Sequence, residues 1–132
     1  MAKPRDSLNQ FPKSTAAQLH FSIPIHDDTL PSFHYAVTKA ALNALTHYLA
    51  AACGPYGVRV NAIAPGPTMT DATKLAVPKA MLDVIIQGMM AIKRPLEPED
   101  LTGTAVWLCS DDAAMVTGQV IPVDGGMVMV DR

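Results

Sequence analysis

Tyr35 and Lys39 lie four residues apart. On a helix that spacing sets two side chains on one face, with Cβ atoms about 5–6 Å from each other. A tyrosine in water titrates near pH 10, too high to exchange a proton with a substrate at neutral pH. A neighbouring ammonium favours the phenolate and lowers that pKa. A fall of about 3 units requires roughly 4 kcal/mol of differential stabilisation, which a dry cleft can supply. The pair is therefore a candidate proton donor and acceptor. Tyr-x-x-x-Lys also arises often by chance, so the pair alone equally fits two ordinary helix residues. Other constellations carry less. His20, His26, His34 and His47 match no metal-ligand spacing. Ser22 with His26 and Asp27 lacks the glycines that flank a nucleophile elbow. Asp27 and Asp28 fit solvated loop carboxylates.

The elements that must position the pair follow from periodicity. Leu19, Phe21, Ile23 and Ile25 alternate, which predicts a strand over 19–25 whose end Pro24 demotes to a loop or edge. A loop composition fills 26–34. Val37, Leu42, Leu45, Tyr48, Leu49 and Ala52 form a helical stripe in an Ala-rich run, predicting a helix over 35–52 that Gly54-Pro55 stops. A β-branched strand is expected over 58–64, ended by Pro65-Gly66-Pro67, and an unusually apolar helix over 75–92. Pro98, Glu99 and Asp100 suit the first turn of a further helix reaching about Ser110. A last strand, Gln119–Val123, closes at Asp124-Gly125-Gly126. Tyr48, Tyr56 and Trp107 read as packing residues. The order is a βαβ series, hence an α/β fold with a parallel sheet of about three strands and flanking helices. Three strands are few for a sheet that needs both faces covered, so residues 16–132 read as part of a larger domain, with 1–15 a polar, disordered lead-in.

Composition sets the outer limits. The chain has 132 residues, 49% apolar and 17% charged, so it is globular rather than a disordered tail. A net charge of −2 gives no electrostatic case for nucleic acid or an anionic membrane. No apolar run approaches the roughly 18 residues of a spanning helix, and Met1–Thr15 has neither a signal-peptide core nor a transit-peptide character. Cys53 and Cys109 have no metal or disulfide spacing and read as buried small apolar residues, consistent with a reducing, cytoplasmic home.

Beyond the isolated pair, the sequence resembles the short-chain dehydrogenase/reductase (SDR) family, carboxy-terminal half only. Ser22 precedes Tyr35 by thirteen residues, an offset the family shares. Tyr-Ala-Val-Thr-Lys-Ala-Ala-Leu (35–42) is similar to its active-site helix, and Gly-Val-Arg-Val-Asn-Ala-Ile-Ala-Pro-Gly (57–66) to its sixth strand and the following loop. Thr70 completes Pro-Gly-x-x-x-Thr. Arg-Pro-Leu-Glu-Pro-Glu-Asp (94–100) resembles the start of its last long helix, and Thr117 to Gly126 its final strand and turn. The resemblance implies a partial Rossmann-like, doubly wound sheet, NAD or NADP as cofactor and a small-molecule carbonyl or alcohol as substrate. Tyr35 would be the general acid/base. Lys39 would hold the nicotinamide ribose and lower the Tyr35 pKa, and Ser22 would hydrogen-bond the substrate carbonyl. Pro65, Gly66, Thr68 and Thr70 would line the nicotinamide. Asn61 would be structural, and 81–92 would be either core or a mobile substrate-covering helix. The family's subunit contacts fall on 35–52 and 98–123, implying a homo-oligomer.

Two departures qualify this. Phe21 stands where many relatives have a second Ser, and Gln18 and His20 make the preceding segment polar. The family's Thr-Gly-x-x-x-Gly-x-Gly turn, which cradles the cofactor pyrophosphate, matches none of the eight glycines, nor can Asn-Asn-Ala-Gly be placed. The expectation is an NAD(P)-dependent oxidoreductase segment, inactive alone, that acts with a complementing amino-terminal half. The alternative is a non-catalytic truncated product or pseudoenzyme that keeps an oligomerisation surface.

Overall fold

The computed structural model describes residues 15–19 and 33–128. Strand β1 (Thr15–Leu19) is followed by helix α1 (Phe33–Cys53) and strand β2 (Arg59–Pro65). Helices α2 (Asp71–Ala76) and α3 (Lys79–Val84) come next, α3 running into a π-helical turn over Ile85–Met89. Helix α4 (Glu99–Cys109) and strand β3 (Val120–Val123) complete the order. The three strands form one parallel sheet in the order β1-β2-β3, with Thr15 opposite Arg59, Leu19 opposite Ile63, and Ala62 opposite Val120. The α/β expectation holds, and α1, β2, α4 and β3 fall within two residues of their predicted bounds.

The central strand explains why its sequence is a run rather than an alternation. Val60, Asn61, Ala62 and Ile63 are all buried, as a parallel strand covered on both faces requires. Asn61 is fully buried and satisfied at both ends of its amide. Its Nδ2 donates to the Val116 carbonyl at 2.9 Å, and its Oδ1 accepts from the Gln119 N–H at 3.0 Å. This side chain ties β2 to the loop entering β3, the supporting role expected of it. Arg59 reinforces the same loop, donating to the carbonyls of Ser110 and Val116.

Four expectations are corrected. The first strand is Thr15–Leu19, so Leu19 ends it instead of opening it, and Thr15 belongs to the sheet; residues 20–25 lie outside those described. Pairing with β2 fixes where a parallel strand runs, and local alternation carries no information about that choice. The expected helix over 75–92 is broken in two. Pro78 has no N–H to donate and pushes Val77 out of the helical region, to φ −114° and ψ 118°. Cys109 is exposed and Cys53 half-buried, both as free thiols; Leu108, beside Cys109, takes the inward position and is fully buried. Tyr48, Tyr56 and Trp107 are 70%, 60% and 40% exposed, so they pack little within this chain.

The apolar run after Pro78 is core. Leu82, Ile85, Ile86 and Met90 are buried together around Met127. Gly125, at φ +64°, lets the final turn pass Met90, whose Cε would lie 2.6 Å from any added Cβ. Among the described residues no helix is long and apolar enough to cross a membrane.

Candidate active site

Tyr35 and Lys39 stand on the first turns of α1, and the structure brings them together. The Lys39 ammonium lies over the Tyr35 ring, 5.3 Å from its centroid, a cation–π arrangement. Good helix formers over 39–52 carry α1 across β2, and Thr46, buried on its inner face, returns its hydroxyl to the Leu42 carbonyl at 2.9 Å. Tyr35 remains 39% exposed. Its pKa differs from expectation: partial burial pushes the phenol above its ordinary value of 10.0. Burial disfavours the charged phenolate, and the ammonium sits over the ring face.

The loop after β2 forms a second group. Pro65 ends the strand, and the Gly66 N–H donates to the Val123 carbonyl at 2.9 Å. A Cβ on Gly66 would lie 2.7 Å from the Asp124 Cα, so only glycine lets the loop pass flush against the turn after β3. The Thr68 hydroxyl donates to the Gly66 carbonyl at 3.0 Å, and Met69 N–H donates to Leu96 O at 2.7 Å. Thr70 caps α2, its hydroxyl accepting from the Thr73 N–H at 3.1 Å. Pro65, Gly66, Thr68 and Thr70 thus share one wall of a groove of about 370 Å³, closed on the other side by Pro98 and Leu101 of the α4 region.

All four loop residues expected to line a nicotinamide therefore meet in one cavity. Tyr35 and Lys39 are not part of its wall, and Ser22 lies outside the described residues. Between the two groups sits a residue that pattern reasoning missed. Asn43, one turn beyond Lys39, borders a smaller cleft of about 170 Å³ with Pro65 and Asp124. Its Oδ1 is buried and without a hydrogen-bond partner among the described residues. The only sequence signal was a polar residue four positions after Lys39. Asp124 was read only as part of a turn. It is buried and accepts from the N–H groups of Gly126 (2.9 Å) and Val128 (2.8 Å), which holds the turn against Gly66.

The groove sits at the carboxyl end of β2, where open α/β sheets bind their ligands. Its lining is mostly apolar, with the Thr68 hydroxyl turned to the Gly66 carbonyl and the Thr70 hydroxyl to the Thr73 N–H. A family model described as enoyl-(acyl carrier protein) reductase matches residues 24–128. The chain belongs to the short-chain dehydrogenase/reductase family. This SDR chain is 40% identical over 100 residues to an uncharacterised oxidoreductase of Mycobacterium tuberculosis, covering 76% of the chain and 40% of that protein. It is 43% identical over 98 residues to an L-rhamnose 1-dehydrogenase (NAD(P)(+)) of Azotobacter vinelandii, covering 71% of the chain and 37% of that protein. The solved structure of BdcA in complex with NADPH superposes on 96% of the chain and 51% of BdcA, with a TM-score of 0.76 at 30% identity. The SDR chain thus spans about two fifths of the length of these curated relatives.

Proposed function

We propose that the chain supplies the proton-transfer half of an NAD(P)-dependent oxidoreductase that interconverts a small-molecule carbonyl and an alcohol. The observation that carries this reading is the Lys39 ammonium held over the Tyr35 ring at the start of α1. Tyr35 gives or takes the hydroxyl proton. Lys39 holds the nicotinamide ribose beside the Tyr35 ring, and Ser22 hydrogen-bonds the substrate oxygen. Pro65, Gly66, Thr68 and Thr70 form the wall against the nicotinamide. NAD or NADP, when bound, supplies or accepts the hydride. A rhamnose dehydrogenase among the relatives and an NADPH-bound neighbour support the cofactor class. The chain from Thr15 onward acts as the carboxy-terminal part of an SDR domain, with a complementing amino-terminal half supplying the pyrophosphate cradle, in the cytoplasm.

The test joins the chain to an SDR amino-terminal half that carries the Gly-rich turn and assays NAD(P)H-linked turnover. Tyr35→Phe should cost at least roughly 10²-fold, the usual worth of positioned acid/base catalysis. Lys39→Ala should be comparably damaging, and Ser22→Ala somewhat less so. Turnover by Tyr35→Phe at the parent rate would refute the assigned roles.

The second reading is a non-catalytic chain that retains an assembly surface. The exposed apolar residues Val37, Leu45 and Tyr48 on α1, with Val106 and Trp107 on α4, favour it. Assembly without turnover in the joined protein would establish it.

A further inference from the structure

We propose that the pocket at the amino end of β2 binds a free α-amino acid with an apolar side chain. This goes beyond the dehydrogenase reading and does not depend on it. Arg59 opens β2 and Pro65 ends it, so the pocket lies at the opposite end of the strand from the groove at Pro65–Thr70 and shares none of its residues. Two loops form it, the turn that joins α1 to β2 and the segment between α4 and β3. Its volume, about 310 Å³, is at the low end of the roughly 300–1,000 Å³ usual for small-molecule sites, which suits a single amino acid better than a peptide or a nucleotide. Gly57, at φ +76°, turns the first loop, and a Cβ there or at Gly54 would meet nothing within 4 Å, so this wall is open backbone.

One cation and one anion line this pocket, Arg59 and Asp111. The ion pairs among the described residues are Lys74 with Asp71 and Arg94 with Asp100, so neither Arg59 nor Asp111 is neutralised by a salt bridge there. Arg59 is half-buried, and its guanidinium is held by bonds from Nη1 to the Val116 carbonyl at 3.3 Å and from Nη2 to the Ser110 carbonyl at 3.2 Å. A guanidinium carries five N–H donors and these bonds use two, so three remain for a ligand carboxylate. A fork already fixed in place also loses little entropy on binding it. Asp111 is exposed, and its carboxylate can accept from an ammonium group. Val58, Ala114 and Met115 supply the apolar part of the wall. Met115 is 94% exposed, a flexible and polarisable side chain standing in water that a bound apolar side chain would cover. A ligand that meets all three features carries a carboxylate, an ammonium and an apolar side chain on one small frame, which is the constitution of an α-amino acid.

L-Leucine is titrated calorimetrically into the 132-residue chain, beside isocaproate, which lacks the ammonium, and isoamylamine, which lacks the carboxylate. L-Leucine should bind once per chain and at least about tenfold more tightly than either, since each analogue forfeits hydrogen bonds to a charged partner. Asp111→Asn removes the anion at an exposed position and should weaken L-leucine about tenfold while leaving isocaproate unchanged. Ala114→Trp, also at an exposed position, fills the pocket without touching either charge and should abolish binding. Cys109 is an exposed free thiol in the same wall, so saturating L-leucine should slow its alkylation by iodoacetamide in the parent and have no such effect in Ala114→Trp. Equal binding of isocaproate or isoamylamine, unchanged affinity in Asp111→Asn, binding retained by Ala114→Trp, alkylation of Cys109 indifferent to L-leucine, or no saturable L-leucine binding would each overturn the proposal. Every measurement is made without cofactor or turnover, so failure here leaves the dehydrogenase reading intact, and the reverse holds too.

Discussion

Replacing Asn61 by alanine deletes a fully buried amide whose two hydrogen bonds help Arg59 and Thr117 link β2 to the entrance of β3. The Gln119 N–H is left without its partner, while the Val116 carbonyl keeps only the longer bond from Arg59, at 3.3 Å. Orphaning a buried donor or acceptor costs about 1–3 kcal/mol each. One such group, with a weakened acceptor at Val116 and a small cavity added, places the loss at about 2–4 kcal/mol. Against a typical total stability of about 5–15 kcal/mol, this is a large fraction. Urea unfolding followed by circular dichroism measures it directly. With a slope of about 1–3 kcal/mol per molar, the midpoint should fall by about 1 M or more at unchanged slope. Asn61→Asp is the sharper control. It keeps the acceptor for Gln119 but turns a carboxylate oxygen toward the Val116 carbonyl, so it should be at least as damaging as alanine near neutral pH. A midpoint within about 0.3 M of the parent for Asn61→Ala would refute this account of how β2 and β3 are held.

Further tests bear on other parts of the molecule. The Asp100 carboxyl is held at about 2 by Arg94, whose two N–H groups reach it at 2.7 Å, against an ordinary value of 3.8. Its contribution is present above the ordinary value and lost as pH falls through about 2, so the parent should lose stability between about pH 4 and pH 2 more steeply than Asp100→Asn in acid titrations. The 132-residue chain by itself should bind NAD(P)H weakly or not at all, because its glycines build no pyrophosphate cradle; a micromolar dissociation constant by calorimetry would contradict this. It should also self-associate through the exposed apolar faces of α1 and α4 and the edge of β1, which pairs only with β2 among the described residues. Light scattering that shows a monodisperse monomer, with slow amide exchange over Thr15–Leu19, would show that edge to be covered.

Elements whose signals are local can be read directly from the residues. Helix α1 follows from an Ala-rich run stopped by Gly54-Pro55, and β2 from a β-branched run ended by Pro65. The acidic first turn of α4 is equally local, and the four-residue spacing alone placed Lys39 beside Tyr35. The break at Pro78 was also written there, since the ring's missing N–H acts within its own turn; a continuous apolar pattern concealed it. Other features arise from groups far apart in the chain and come into being only on folding. The position of β1 is fixed by pairing with residues more than forty positions later. The groove at Pro65–Thr70 exists because Thr68 meets Leu96 and Gly66 meets Asp124, contacts with no local signature. The Asn43 oxygen, unpartnered among the described residues, and the raised Tyr35 pKa likewise come from burial, which is set by how separate elements cover one another and by nothing in the neighbouring residues.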